Sequence, residues 1–175
     1  MTGDGIVLQW ATATVMRNLF LATLYRFMYP VARLWWTVRA PVRIGVRGIV
    51  LDSAGRVLLV RHSYGSEGWG FSGGGPGRHE RLADTIVREV REETGVRCQV
   101  EKLLGVYDSF HEGKSDHVAL FVCRAAEGSQ PRPASPEIVA CGFYPLNDLP
   151  PQASQGTRRR LAELQAGDPA HWGMW

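Results

Sequence analysis

The chain has 175 residues, of which 45% are hydrophobic and 21% are charged, and its formal net charge is +3. This length and composition are typical of one globular domain with a short additional segment. The charge is uneven, because residues 1–47 contain six arginines and one aspartate, whereas the remainder contains 14 basic and 16 acidic residues. Since most of the chain is near neutral, we expect no specific nucleic-acid-binding face.

The N-terminal segment is basic and apolar. Residues 6–38 are rich in large apolar and aromatic side chains, and their longest uncharged run, residues 5–16, is 12 residues long. A membrane-spanning helix needs about 20 residues, so the pattern predicts a helical extension over residues 1–41 that does not span a membrane. Two interpretations stay open: an interfacial helix lying on a membrane surface, or a helix that packs on the domain or on a second subunit.

From Val42 onwards the pattern changes to short β-rich runs. We predict a β-hairpin over residues 42–62, a glycine-rich loop, a helix, and further strands within residues 96–110, 116–126 and 138–146, followed by a C-terminal helix. Strands and helices intermix without strict alternation, which favours an α/β fold with a mixed sheet flanked by helices. The predicted organisation is therefore an extension (1–41), a domain (42–166) and a tail (167–175).

The three cysteines, Cys98, Cys123 and Cys141, are widely spaced and include no C-x-x-C pair. An odd number without a pattern is typical neither of a disulfide framework nor of a zinc site. We therefore expect buried thiols in a reducing compartment. The expected location is the cytoplasm, with peripheral contact at the inner face of a membrane if the extension is interfacial.

One amphipathic helix is predicted after the glycine-rich loop. Ala83, Ile86, Val87 and Val90 recur at helical spacing and form one apolar stripe. Gly95 supplies the left-handed residue that ends such a helix. The stripe predicts packing against the sheet.

Three glutamates share a neighbouring face of that helix. Glu89, Glu92 and Glu93 lie at i, i+3 and i+4, where like charges disfavour a helix by a few tenths of a kcal/mol per pair. One interpretation is a solvated face whose charge nearby arginines offset. The other is a Mg²⁺ site, because hard divalent cations take oxygen ligands.

Three glycines precede the helix. Gly73, Gly74 and Gly75 lack side chains, so the backbone can approach a ligand closely there. A loop that leads into a helix N-terminus also offers N–H groups to anions. No G-K-[S/T] follows, which excludes a nucleotide P-loop.

These residues form a known motif. Gly74, Glu80 and residues 88–96 match G-x5-E-x7-R-E-U-x-E-E-x-G-U, where U is apolar, at all nine specified positions. This stretch resembles the Nudix box, and looser similarity extends from about Val42 to Leu164. The loop departs from the common family pattern, with Ser72 in place of proline and His79 in place of glycine. The resemblance implies a Nudix-type α/β/α sandwich around a mixed β-sheet.

The resemblance also implies a reaction and its cofactor. Nudix hydrolases cleave a nucleoside diphosphate linked to another moiety X, with Mg²⁺ or Mn²⁺. Carried over by position, Glu92 and Glu93 would be metal ligands, and Glu89 would be a ligand or the base that activates water. The carbonyl of Gly73 would add a further ligand.

Two more positions take roles from the motif. Arg88 would hold the glutamates in place, and Glu80 would brace the loop and helix or touch a second metal. We expect Gly74, Gly75 and Glu80 to lie at the substrate. The nature of X stays open among ADP-ribose, dinucleoside polyphosphates, modified nucleotides and nucleotide sugars. Many family members dimerise, so a homodimer is a further expectation.

Residues outside the motif are weaker candidates. Some family members add an acid from a later loop, and we favour Glu127 over Glu112, Asp116 and Glu137. Trp69 is a candidate platform for a nucleobase, because aromatic faces stack on bases.

Two alternative functions remain. The first is a catalytically silent Nudix-fold sensor that binds a nucleotide, although such proteins usually lose box carboxylates that this chain keeps. The second is a membrane-surface hydrolase of a lipid-linked or CDP-alcohol diphosphate, with membrane contact through residues 6–38.

Overall fold

The computed structural model describes residue 28 and residues 42–63, 68–110, 115–167 and 171–175. The predicted interfacial or packing helix of the extension lies outside these residues, apart from Met28, and it stays a prediction. Within the described ranges, no helix combines the length and apolar character needed to cross a membrane.

The described residues form a seven-stranded sheet and two helices. The strands are β1 (Val42–Leu51), β2 (Val57–His62), β3 (Trp69–Gly70), β4 (Cys98–Ser109), β5 (Ser115–Ala125), β6 (Ile138–Tyr144) and β7 (His171–Met174), and the helices are α1 (Leu82–Thr94) and α2 (Gln155–Ala166). The strand order is β3-β2-β1-β5-β4-β7, and β6 pairs with β2. Strand β1 runs parallel to β5 and antiparallel to β2, so the predicted mixed sheet is confirmed.

The β1–β2 connection is a tight turn organised by Asp52. Its Oδ1 accepts hydrogen bonds from the backbone N–H groups of Ala54 and Arg56, and Gly55 takes a left-handed conformation at φ 73°. Aspartate and glycine favour turns for these two reasons. The predicted hairpin therefore forms, although β1 and β2 pair directly only at Leu51 and Val57.

Each face of the sheet carries one helix. Alternation along β1 sends Val46 and Val50 towards Ile86 of α1, and Ile49 towards Leu161 of α2. All five are at most 2% exposed, and burial of each such side chain stabilises the fold by about 1.5–3 kcal/mol. The apolar stripe predicted for α1 thus packs on the sheet.

The C-terminal tail contributes more than its sequence indicates. Residues 171–174 form β7, which runs parallel to β4, and the backbone N–H of Trp175 donates to the carbonyl of Asp108. The indole of Trp175 packs edge-on against Phe71 and Tyr107. The tail therefore extends the sheet and fills the core on the α2 side.

Candidate active site

The glycine-rich loop is hydrogen-bonded to the middle of β1. The backbone N–H of Val46 donates to the carbonyl of Gly74 at 2.8 Å, and that of Gly48 donates to the carbonyl of Ser72 at 3.0 Å. Gly73 has φ 152°, and a Cβ at this position would collide with the Val46 carbonyl. Only glycine fits there, because both the backbone angle and the space exclude a side chain.

Glu93 is the buried member of the glutamate cluster. It is 5% exposed, and its Oε2 accepts hydrogen bonds from the Ser72 hydroxyl and, at 3.2 Å, from the Gly73 N–H. Burial raises the pKa of the Glu93 carboxyl, while Ser72, the charge of Arg47 and Gly73 act in the opposite direction. Glu93 therefore ties the end of α1 to the loop, and Ser72 has a defined partner.

Arg88 holds the rest of the cluster. Its Nε and Nη2 donate to the two oxygens of Glu80 at 2.7 and 2.9 Å, a bidentate ion pair. Its Nη1 donates to Glu89 at 2.8 Å and to Glu92 at 3.0 Å, and Nη2 also reaches the Gly75 carbonyl at 3.3 Å. These partners, Glu80 foremost, raise the pKa of Arg88 above its usual value. The loop and two glutamates of α1 thus meet on one guanidinium.

Glu80 is the best-paired of these carboxylates. Hydrogen bonds from Arg88, followed by one from the Gly77 N–H at 2.7 Å, lower the pKa of Glu80 to about 2. The pair joins the loop to the helix, and this contact is compatible with the bracing role, one of the two roles that the motif implies for Glu80.

Arg47 is a residue that the sequence analysis missed. It projects from β1, and its Nη1 donates to the carbonyls of Gly73 at 3.0 Å and Phe71 at 3.3 Å. Burial and then the charge of Arg47 lower the pKa of His62 on β2. The sequence did contain one signal for Arg47. It is a charged residue within a predicted strand, next to Val46 and Gly48, which are both buried.

The cluster offers the oxygen ligands that a hard cation prefers, but its side chains do not form a complete metal coordination site. Among the described residues, no three acidic, histidine or cysteine side chains stand close enough to form a metal site. Glu89 and Glu92 instead share one Arg88 nitrogen. Mg²⁺ typically uses one or two carboxylates together with water and substrate phosphates. Glu89 and Glu92 carry oxygen donors of the kind that such an ion takes, whereas Glu93 is bonded to Ser72 and the Gly73 carbonyl to Arg47.

Two predicted substrate residues, Trp69 and Glu127, have no hydrogen bond or ion pair with the glutamates among the described residues, and their roles stay predictions. Trp69 packs edge-on against Tyr144, with ring centroids 5.1 Å apart, and Arg61 lies 5.7 Å from its ring. It belongs to the core on the α2 side. Glu127 is exposed in the turn that follows β5, and no hydrogen bond or ion pair among the described residues joins it to the glutamates.

The other candidate acids are distributed differently. The backbone carbonyl of Glu137 accepts a hydrogen bond from the N–H of Ser63 at 2.8 Å, and the charge of Glu137 acts to raise the pKa of the adjacent His62. Asp116 lines a cavity beside Gly74 and Gly75. Glu112 lies outside the described residues.

The chain is similar to known proteins. The family model described as the NUDIX domain matches residues 41–164. The chain is 32% identical over 114 residues to the human "Nucleoside diphosphate-linked moiety X motif 6", a match that covers 61% of this chain and 35% of that protein. The chain therefore spans about a third of the length of this relative.

Two further similarities cover more of the partner. A MutT-like protein from Streptomyces ambofaciens is 36% identical over 129 residues, which is 73% of this chain and 80% of the relative. The crystal structure of a MutT Nudix hydrolase from Burkholderia pseudomallei superposes with a TM-score of 0.61 at 27% identity, covering 71% of this chain and 98% of that one. With the family model matching most of the chain, and the loop, helix and carboxylates arranged as described, the chain belongs to the Nudix hydrolase family.

Proposed function

We propose that the protein hydrolyses a diphosphate linkage in a nucleoside diphosphate attached to a second moiety X, with Mg²⁺ as the preferred cofactor and Mn²⁺ as a substitute. The observation that carries this proposal is the contact of Glu93 and Glu89 with the loop formed by Gly73–Gly75, with Glu92 joined to Glu89 through the same Arg88 nitrogen. Three carboxylates within five residues are stable together where positive charge lies among them. Arg88 already supplies one such charge.

The chain offers ligands for the ion at one end of the loop. Glu92, Glu93 and the Gly73 carbonyl would hold it, with Glu89 as a further ligand or as the base. A bound divalent cation neutralises phosphate charge and lowers the pKa of its water. The all-oxygen donor set agrees with this choice of metal.

The residues of this chain then have distinct tasks in the reaction. The oxygen of water adds to one phosphorus, while the bond from that phosphorus to the bridging oxygen breaks and the electron pair leaves with the other phosphate. Glu89, as the base, would accept the proton of the water, and the closeness of its carboxylate to Gly74 supports this role as it supports that of a further ligand. Arg88 positions Glu89 and Glu92, and Glu80 keeps Arg88 and the loop together. The products are a nucleoside monophosphate and phosphorylated X.

A substrate panel tests the proposal directly. The full chain is incubated with nucleotide sugars, ADP-ribose, dinucleoside polyphosphates and nucleoside triphosphates, with Mg²⁺ or with EDTA, and the phosphorylated products are separated. We expect release of a nucleoside monophosphate from at least one diphosphate-linked compound, only with the divalent ion. Nucleotide binding without release of product under every condition would instead support the silent sensor.

A further inference from the structure

The last turn of α1 is held by a segment that is distant in the sequence. Residues 128–136, called here the proline-rich loop, lie in the connection between β5 and β6. The backbone N–H of Ala134 donates to the carbonyl of Glu93 at 2.9 Å, and that of Arg132 donates to the carbonyl of Thr94 at 3.0 Å. Carbonyls in the last turn of a helix have no donor within the helix. The loop therefore supplies two donors that α1 lacks.

The prolines of this loop place the two donors. Arg132 and Ala134 alternate with prolines, because Pro131 and Pro133 precede them in turn. Proline has no N–H, so the positions without a donor are those at which none is used. Proline also keeps the residue before it extended, which applies to Gln130 and to Arg132. The loop thus presents its two N–H groups to α1 from a stiff, extended segment.

The side chain of Arg132 also lies at the end of α1. Gly95 ends the helix in a left-handed conformation, and a Cβ built there would lie 3.7 Å from the Cγ and Nε of Arg132. A cation near the C-terminus of a helix is favourable, because the carbonyl dipoles point towards it. The proline-rich loop therefore contacts the end of α1 through its backbone and through a side chain.

Glu93 is held at both of its ends. Its carbonyl accepts a hydrogen bond from Ala134, whereas its carboxylate accepts hydrogen bonds from Ser72 and Gly73. Glu92 precedes it in the same turn of the helix. Fraying or rotation of that turn would move both carboxylates, because each side chain follows its backbone. The turn that carries two of the three glutamates therefore depends on the proline-rich loop.

We infer, on the basis of the proposed function, that the proline-rich loop positions Glu92 and Glu93 for metal binding and hydrolysis. Ala134 is the positioning residue, and it acts through its backbone N–H, because its side chain is exposed. Removal of this donor should lower turnover and metal affinity. It should leave the affinity for substrate nearly unchanged, because the loop acts on the carboxylates.

Three variants test the role of the Ala134 N–H. Ala134→Pro removes the donor, and Ala134→Ser keeps it at the same exposed position. Gln130→Pro is the control for proline itself, because no hydrogen bond from the Gln130 N–H reaches another described residue. Steady-state kinetics with the compound that the substrate panel identifies should show kcat lowered by about tenfold in Ala134→Pro, with little change in KM. Both controls should keep the wild-type kcat.

Binding of Mn²⁺ alone gives a second measurement that needs no turnover. Calorimetry should show that Ala134→Pro binds Mn²⁺ about tenfold more weakly than the wild type, in the range found when a group that orients a metal ligand is removed. Ala134→Ser and Gln130→Pro should bind Mn²⁺ as the wild type does. A wild-type kcat in Ala134→Pro, a rise in KM at constant kcat, or equal Mn²⁺ affinities in all four chains would overturn the inference.

Hydrogen exchange in the wild type covers an Ala134→Pro chain that fails to fold. If metal binding requires the ordered last turn, Mg²⁺ at ten times its dissociation constant should slow exchange of the Ala134 amide by about tenfold. The amide of Gly55, which donates to the Asp52 carbonyl in the β1–β2 turn, is the control and should not slow. Equal slowing of both amides, or no slowing at Ala134, would contradict the positioning role.

The proposed function and the positioning role fail in different ways. A wild type that hydrolyses nothing in the substrate panel loses the proposed function, and the Mn²⁺ affinities of the variants then decide on the loop alone. A wild type that hydrolyses a diphosphate linkage, and whose Ala134→Pro variant keeps full kcat and metal affinity, retains the proposed function and loses the positioning role.

Discussion

The glutamate cluster consists of an inner part and an outer part that are held in opposite ways. The inner carboxylate, Glu93, is buried against Ser72 and Gly73, and burial raises its pKa. The outer carboxylates, Glu89 and Glu92, lie on a guanidinium that is about one third exposed. Backbone and loop fix the inner group, whereas a cation fixes the outer pair.

This difference gives the two parts different freedom to move. Glu93 is held in a fixed position, whereas Glu89 and Glu92 can exchange Arg88 for another cation. Glu93 cannot move without rearranging the loop, because Ser72 and Gly73 both hold its carboxylate. Ion pairs near the surface are weak and are screened by salt, so a divalent ion can compete with Arg88 for Glu89 and Glu92. The comparison predicts different consequences when each part is changed.

The largest effect is expected at the inner carboxylate. Glu93→Gln keeps the size and a hydrogen-bonding oxygen, but it removes the negative charge that a divalent ion requires. We expect turnover to fall by about 10²-fold or more, in the range seen when one electrostatic contact is removed from an active site, with little change in the thermal midpoint. Steady-state kinetics and circular dichroism measure the two quantities.

The control for this change is Glu101→Gln. Glu101 pairs with Arg124 on the surface of β4 and β5, away from the loop, so this variant should retain wild-type turnover. If Glu92→Gln and Glu93→Gln both kept full turnover, the proposed roles of the carboxylates would be wrong.

The next prediction compares alanine substitutions at three adjacent glycines. Their effects on stability should differ, because the added Cβ would contact different atoms at each position. Gly73→Ala is strained by its backbone angle, which costs about 1–3 kcal/mol for such conformations, and also collides with the backbone of Val46. At Gly74 a Cβ would lie 2.5 Å from Glu89 Oε1, the mobile end of a side chain, so the carboxylate moves and the fold survives. At Gly75 a Cβ meets nothing within 4 Å. Urea unfolding should rank the losses of stability as Gly73, Gly74, Gly75.

An equal loss of stability at Gly73 and Gly75 would contradict this geometry. Gly74→Ala should leave the free energy of unfolding close to that of the wild type and should still lower turnover. The added Cβ displaces the Glu89 carboxylate from Arg88 without disturbing the backbone.

The α1 stripe, its end at Gly95 and the mixed sheet were predictable from the sequence, because periodicity and glycine chemistry act locally. The Nudix box likewise pointed to Glu80, Arg88 and Glu93, which contact the loop, while the roles that it implies in the reaction stay predictions. Sequence could not show that Ser72, at a position where proline is common, would become the partner of Glu93, because this contact joins residues 21 positions apart. Periodicity and turn preferences describe only residues that are close together in the sequence.

Three other features depended on tertiary packing. Arg47 reads as one charged residue in a strand until the loop folds back on β1. Trp69 packs against Tyr144 on the α2 side, which its sequence did not indicate, and its contact with substrate stays a prediction. Strand β7 is too short to show a period of two, and only its pairing with β4 defines it.

A smaller effect is expected when Arg88, which holds the outer carboxylates Glu89 and Glu92, is replaced. Arg88→Met removes the shared cation, so Glu80, Glu89 and Glu92 repel one another and the loop loosens. We expect turnover to fall about tenfold through misplaced carboxylates. We also expect Mg²⁺ to raise the melting temperature more in this variant than in the wild type, because the ion no longer competes with Arg88. Differential scanning fluorimetry with and without Mg²⁺ measures the difference.

Arg91→Met, an exposed change on the same helix, is the matched control. Mg²⁺ could raise the melting temperature of Arg88→Met no more than that of Arg91→Met. That result would show that Mg²⁺ does not compete with Arg88 for Glu89 and Glu92.

The smallest effect concerns acid and the ion pair that closes the loop. Arg88 and the Gly77 N–H lower the pKa of Glu80 to about 2, whereas an unfolded chain titrates glutamate near 4.3. A depressed carboxyl pKa stabilises the fold fully above the unfolded value, and this contribution disappears as the pH falls through the folded value. Between about pH 4.3 and 2 the wild type should therefore lose stability more steeply than Glu80→Gln, which lacks this titration. Urea midpoints in EDTA across that range measure the slopes, and parallel slopes would show that the Arg88–Glu80 pair does not hold the loop against acid.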